Sequence, residues 1–322
     1  MQAWSVRISR HPHGQCAFTL IEVLVSMAVL LLMVVLLHGI LSGASGAWKL
    51  GEANKDRMQN ARTISDFIAN ELESALLPLN RTSTNSLQLV VNPPGISTQV
   101  SHRDSIFWQS PLAVDQALGD VAEIGYFVRW DTQTNPQNPR AVLCRFFVNL
   151  TARNSTTGAV TANPNFLISS QPDTWLSDSV LDRVAPANAT NDYLGLFAEN
   201  VIGMWVRCLD SAGKDITLDS AGQVITPARS FNSRSGYTDS DPLIGPRAAC
   251  ALPTMIDLSL VLLDARSAVR VGPAEMDMIK ALVKTSANAD AFVDAALQDP
   301  DLASFRPAFR AHHVRIHLRN SQ

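Results

Sequence analysis

Local signatures of catalysis are missing from this sequence. It contains no GxSxG elbow, no HExxH pair, no GxxxxGKS/T phosphate loop and no dinucleotide-binding GxGxxG. The four cysteines, Cys16, Cys144, Cys208 and Cys250, form no CxxC pair and no His–Cys spacing of a zinc site. Charge is sparse at 17% and nearly balanced at a formal −3. No basic field of the kind that draws nucleic acid is present, and no nucleic-acid partner is expected. Disorder is equally excluded, because 46% of the residues are hydrophobic over 322 positions, enough to bury one large or two small cores.

What the sequence does have lies at its start. Phe18 to Leu41 reads FTLIEVLVSMAVLLLMVVLLHGIL, an apolar run of 24 residues. As a helix it extends about 36 Å at ~1.5 Å per residue, more than the roughly 30 Å of a bilayer core. The run exceeds the apolar stretch of a secretory signal, about 7–15 residues, and continues into an amphipathic pattern. Before it stand Arg7 and Arg10 with no acid; after it, Lys49, Glu52, Lys55, Asp56 and Arg57 mix signs. The basic side is therefore expected in the cytoplasm, with everything after about residue 42 outside it.

Glu22 breaks the apolar run near its cytoplasmic end. A carboxylate well inside a membrane helix costs about 2.5–3.5 kcal/mol on insertion scales, less near an interface. One reading is a wetted carboxylate in an ordinary signal anchor. The other is a charge that finds its partner on assembly, such as a free amine at Phe18 supplied by a neighbouring subunit. The string Ala17-Phe18-Thr19-Leu20-Ile21-Glu22-Val23-Leu24-Val25 resembles the cleavage and methylation signal of type IV pilins and type II secretion pseudopilins. The resemblance implies that a prepilin peptidase cuts the Ala17–Phe18 bond and methylates the new amine. It also implies that Glu22 pairs with a neighbour's N-terminus in the filament. Ala17 stands where that family almost always has Gly; alanine is the mildest steric replacement, so cutting is expected, though more slowly.

Beyond the apolar run, Leu50, Ala53, Met58, Ala61, Ile64, Ile68, Leu72, Ala75 and Leu76 keep a helical spacing, with Lys55, Asp56, Arg62, Asp66 and Glu71 on other faces. One helix is expected from Phe18 to about Leu77, ended by Pro78 and interrupted by Gly39, Gly43 and Gly46 as a soft point or close-packing face. The period then shifts toward two. Strands are expected at Leu87–Val91, Ser105–Gln109, Ala122–Trp130, Ala141–Asn149, Val201–Leu209, Met255–Leu263 and His313–Arg319. Residues 154–191 and 210–247 read as surface loops. Pro273–Lys284 and Asn288–Leu297 read as helices. The fold class is α+β, a long N-terminal transmembrane and amphipathic helix packed on antiparallel sheet. Its divisions are a leader at 1–17, a membrane helix at 18–41, the exported half of the helix at 42–78 and a β-rich head at 79–322. Over residues 195–265 the order ENVIGMWVRCLDSAGKDI then LPTMIDLSLVLLD resembles J-type minor pseudopilins and W-type minor pilins.

Other constellations carry less. In HHVRIHLR, His313, Arg315, His317 and Arg319 take the solvent face of a strand and Val314, Ile316 and Leu318 the other. Asp210, Asp215, Asp219, Asp239 and Asp241 crowd loops without EF-hand spacing. Trp108, Trp130, Trp175 and Trp205 are expected in the core rather than stacking on a ligand. Outside the cytoplasm a disulfide is permitted, with Cys208 and Cys250 the leading pair because they flank two strands expected to be neighbours; a reduced, buried set is the alternative. No metal, cofactor or catalytic residue is expected. The resemblance implies a structural subunit in the inner membrane with a periplasmic head. Its partners would be other pilin-like subunits, the prepilin peptidase, and the platform and motor of a secretion or pilus system. A signal-anchored binding module is the rival reading.

Overall fold

The computed structural model describes residues 19–76, 88–93, 104–111, 119–131, 140–154, 156–162, 195–217, 230–234 and 251–319. A 53-residue helix, α1 (Leu20–Leu72), opens the described chain. The chain divides into two compact units, Met1–Glu52 and Ala53–Gln322.

In the first unit every described side chain from Leu20 to Lys49 is exposed. Its most apolar window has a mean hydropathy of 3.0 and no buried residue. A helix that is apolar all round has no water-facing side, so its surface is matched to lipid or to other helices. The glycines do not break it: Gly39, Gly43 and Gly46 lie inside the continuous helix, with open space around each.

The second unit carries three antiparallel sheets. The strands are β1 (Leu89–Val91), β2 (Ser105–Ser110), β3 (Ala122–Asp131), β4 (Arg140–Asn149), β5 (Thr151–Arg153), β6 (Val160–Ala162), β7 (Leu196–Glu199), β8 (Val201–Leu209), β9 (Phe231–Asn232), β10 (Met255–Leu262) and β11 (Ala311–His317). Six of them form a sheet in the order β7-β4-β3-β2-β1-β9; three more run β11-β10-β8, and β5 pairs with β6. Asn200 joins the two larger sheets. With φ at 63° it takes the left-handed conformation that asparagine tolerates, so β7 stays with β4 while β8 leaves to pair with β10.

Alternation places Leu89, Val91, Ile106, Trp108, Ile124, Tyr126, Val128, Leu143 and Phe147 in one core with Ala61, Ile64, Ile68 and Leu72 of α1. Burying each large aliphatic there contributes about 1.5–3 kcal/mol. The other face of the six-stranded sheet is also buried, at Phe107, Phe127 and Phe146, whose rings lie 6.0–6.2 Å apart around Phe107. Gly125 is required there, since a β-carbon on it would meet the Phe107 ring at 2.0 Å.

After β10 the chain forms α2 (Ala265–Arg270), α3 (Pro273–Thr285), α4 (Ala289–Gln298) and a 3-10 turn (Ala303–Ala308) before β11. Asp264 caps α2, Pro273 opens α3, and the Asn288 side chain accepts the Ala291 N–H at 2.8 Å to start α4. The Trp205 ring of β8 lies 5.9 Å from that of Phe292 of α4, tilted by 39°, and donates its indole N–H to the Ser286 carbonyl, so these helices cover one face of the three-stranded sheet.

Several boundaries differ from the sequence expectation. The helix ends at Leu72, where Ser74 and Ala75 form i→i+3 bonds and Leu76 donates to Gln109 of β2; the chain has already turned to the sheet before Pro78, which lies outside the described residues. Met58 is 63% exposed and Arg57 is buried in its place, while the Leu50 side chain lies outside the described residues. Glu71, expected on a polar face, is buried. The segment read as a loop from residue 154 pairs through a short hairpin, where the Asn154 side chain accepts from Thr156 and Thr157 and Gly158 takes φ 70°. Phe231–Asn232 likewise adds a strand inside the segment read as loop from 210 to 247.

Candidate assembly site

Glu22 lies in the first turn of α1 and is exposed. Ahead of it Thr19 caps the helix: its hydroxyl accepts the Glu22 N–H at 3.3 Å, and its carbonyl accepts those of Glu22 and Val23 at 3.0 and 3.3 Å. Thr19 and Glu22 thus stand at the spacing of a capping box, a signal that a search for membrane charges passes over. The carboxylate sits where the helix carries its partial positive charge. Between Glu22 and Lys49 the exposed surface of the helix carries no further Asp, Glu, Lys or Arg, and its polar side chains are few, among them Ser26, His38, Ser42 and Ser45. Ala17 and Phe18 lie outside the described residues.

In the second unit a buried ion pair secures the end of α1. Arg145 of β4 grips both oxygens of Glu71, with its Nε at 3.1 Å, and the Tyr126 hydroxyl of β3 donates to the same carboxylate at 2.5 Å. The Arg145 guanidinium stacks over Phe147 at 4.6 Å. Burial works against the charged form of Arg145, but its bond to Glu71 wins and holds its pKa above the ordinary value. Burial first, and the adjacent Glu71 charge second, push the Tyr126 phenol upward. The missed signal was positional: Glu71 falls three residues after Ile68 and four before Ala75, on the buried stripe itself.

A second constellation joins β10, β11 and α4. Ser259 Oγ lies 2.8 Å from His313 Nδ1, and His313 Nε2 lies 3.1 Å from the Asp290 carboxylate. Ser259 is a mid-strand residue paired with both Trp205 and His313. Its backbone N–H therefore belongs to the ladder and is not free to stabilise an oxyanion beside its own hydroxyl. The arrangement ties α4 to the sheet. Nearby, Arg315 and Arg207 share Asp257, at 2.7 and 3.4 Å.

The tryptophans Trp108, Trp130 and Trp205 are buried; Trp175 lies outside the described residues. His313, Arg315, His317 and Arg319 are exposed on β11 and just beyond it, with Ile316 and Leu318 buried. Asp210 and Asp215 serve as turn acceptors, for Ala212 and Lys214 and for Thr217 respectively. Asp219, Asp239 and Asp241 lie outside the described residues, as do Cys16 and Cys250. Cys208 is buried on β8 opposite Ile256 of β10, so the two strands that the cysteines were expected to flank are neighbours.

The geometry of the N-terminal segment agrees with the comparison to known families. Residues 12–37 match the prokaryotic N-terminal methylation motif. That motif supports a pilin- or pseudopilin-type subunit, which implies processing by a prepilin peptidase and association with other pilin subunits. Together with the apolar helix it fits a membrane-anchored protein. No curated protein and no solved structure matches the chain.

Proposed function

We propose that this chain is a minor pseudopilin that joins or initiates the short filament of a type II secretion system, working as a structural part and not as an enzyme. The observation that carries the reading is the methylation motif at residues 12–37, heading a helix whose one acidic residue before residue 50 is Glu22. In this account the peptidase frees the Phe18 amine, and Glu22 of one subunit pairs with the amine of the next as helices pack in a nearly ion-free medium. Each charge is costly in hydrocarbon and tolerable as a pair. The leader at 1–17 stays cytoplasmic, the 18–41 segment spans the inner membrane, the 42–78 half of the helix leads outward, and the 79–322 head lies in the periplasm. The loop and helix additions to the head favour a minor, J-type or W-type, subunit over an abundant one. A minor pilin of a type IV pilus is the second reading, supported by the same N-terminal residues.

The test is filament recovery from cells that make the peptidase and the other pilin-like subunits. Glu22→Ala is expected to leave cutting intact while removing the chain from sheared filaments. Undiminished incorporation of Glu22→Ala would overturn the proposed pairing. Loss of protein export against loss of surface pili, on deleting the chain, separates the two systems.

A further inference from the structure

The two edges of the three-stranded sheet differ in how their main chain is satisfied. At the β8 edge it is capped: Asp104 accepts the Val206 N–H at 2.9 Å, Thr217 accepts that of Cys208 at 2.6 Å, and the Ile216 N–H reaches the Cys208 carbonyl at 2.8 Å. The β11 edge has no such caps among the described residues. Just past β11 the Leu318 N–H donates to the Thr254 carbonyl, and the pairing with β10 runs without a shift from Ala311 to His317. Alternation along an antiparallel ladder then turns the main chain of His312, Val314 and Ile316 toward β10, and that of Ala311, His313, Arg315 and His317 outward. These outward N–H and C=O groups have no partner among the described residues. A seven-residue edge without proline, glycine or bulge is a template for a further strand.

Side chains on and beside β11 set what that strand can be. Residues 302–322 contain four Arg and three His and no acid. Acids that reach them from neighbouring elements are engaged. Asp257 of β10 lies between Arg315 at 2.7 Å and Arg207 at 3.4 Å, Glu73 is bonded to Arg319 at 2.6 Å, and Asp290 meets His313 at 3.1 Å. Asp66 acts on His312 together with Arg62, and the two offset each other. One carboxylate for two guanidiniums leaves positive charge at Arg315, and Arg310 is exposed with no carboxylate partner among the described residues. A groove of about 360 Å³, lined by Arg207, Asp257, Ser259, His313 and Arg315, opens on this face. A second copy of β11 laid on this edge would set arginines and histidines against one another, and like charges across a strand pair are destabilising. The complement of the edge is an acidic segment of a different sequence.

We propose that the outer edge of β11 takes up an extended, acidic segment of a different pilin-like subunit as a fourth strand, with carboxylates of that segment set against Arg310 and Arg315. Main-chain bonds to His313, Arg315 and His317 would hold the segment, and the two arginines would select it. Such a contact adds one unlike subunit and then stops, as a non-repetitive member of a filament requires. The inference deepens the filament reading and rests on it.

The test places a photo-reactive benzophenone side chain at position 317 of the full chain, in membranes that also hold the peptidase and the other pilin-like subunits. The expected product joins this chain to another pilin-like subunit, at a segment of that subunit rich in Asp or Glu. Arg310→Glu should lower its yield by about tenfold or more, since like charges across an interface are repelled. Arg315→Pro removes an outward N–H that β10 does not use, so its yield should fall about fivefold below that of Arg315→Ala, the effect of one main-chain hydrogen bond. Equal urea midpoints for these two variants show that the fold is kept; where Arg315→Pro unfolds the chain, Arg310→Glu decides. An adduct to lipid, to an exported protein, to a second copy or to another segment of this chain would overturn the proposal. So would no adduct, or a yield indifferent to Arg310→Glu. Correct cutting at Phe18 without the adduct removes this contact and leaves the filament reading; the adduct in an uncut chain keeps the contact and removes that reading.

Discussion

Arg145→Met strands Glu71 as a buried carboxylate facing the Tyr126 hydroxyl. Glu71 and Arg145 are each 8% exposed, and removing one partner of a buried pair costs about 3–5 kcal/mol because the other charge stays behind without compensation. The lost stacking on Phe147 adds about 0.5–2 kcal/mol. Removing both charges is a different perturbation. Glu71→Met with Arg145→Met leaves two apolar side chains in the same volume, and replacements of this kind are often neutral or better. The double variant should therefore recover most of the single variant's loss. Urea unfolding of the full chain in detergent, followed by tryptophan fluorescence, reads this directly, because Trp108 stacks on Tyr126 at 5.9 Å. A loss below about 1 kcal/mol for Arg145→Met, the range of a surface pair, would refute the claim that a desolvated bridge secures the end of α1. A double variant no better than the single would refute the claim that the cost is an uncompensated charge.

Tyr126→Phe should cost about 1.5–3 kcal/mol in the same assay, the range for a bond to a charged group. The Tyr126 phenol is held above its ordinary pKa, so stability is full below about pH 10 and should fall as pH rises beyond it in wild type more than in Tyr126→Phe. His312 is held below its ordinary pKa by burial, then by His313 and Arg62, so its contribution is present above about pH 6.5 and lost as pH falls through the lower folded value. A urea midpoint that drops less on acidification in His312→Gln than in wild type is the expected sign. Gly125→Val should cost about 3 kcal/mol or more through overpacking against Phe107, read as a lower thermal midpoint.

Much of this architecture was legible because it rests on period. Val201–Leu209 was bounded as it stands, and Met255–Leu262 within one residue, since buried strands read as apolar runs closed by turn chemistry. Pro273 and Asn288 marked helix starts for the same local reasons. What escaped depends on partners distant in sequence. Glu71 looks like a polar interruption until Arg145, 74 residues on, is placed against it. Arg57 replaces Met58 on the buried face because the carbonyls of Pro307 and Ala308, about 250 residues away, accept its guanidinium. The two-residue strand at Phe231 is too short for any periodic signal and exists only because β1 offers an edge. At the assembly site, Glu22 was legible as a charge out of place, and its capping relation to Thr19 was legible in the spacing, though a membrane reading looks past it.

The processing claim is tested most directly by intact mass and N-terminal peptide analysis of the full chain made with and without a prepilin peptidase. The account predicts a chain beginning at Phe18 and heavier by one methyl group only where the enzyme is present. An unaltered Met1 end in both samples would contradict it and leave α1 as a plain membrane anchor.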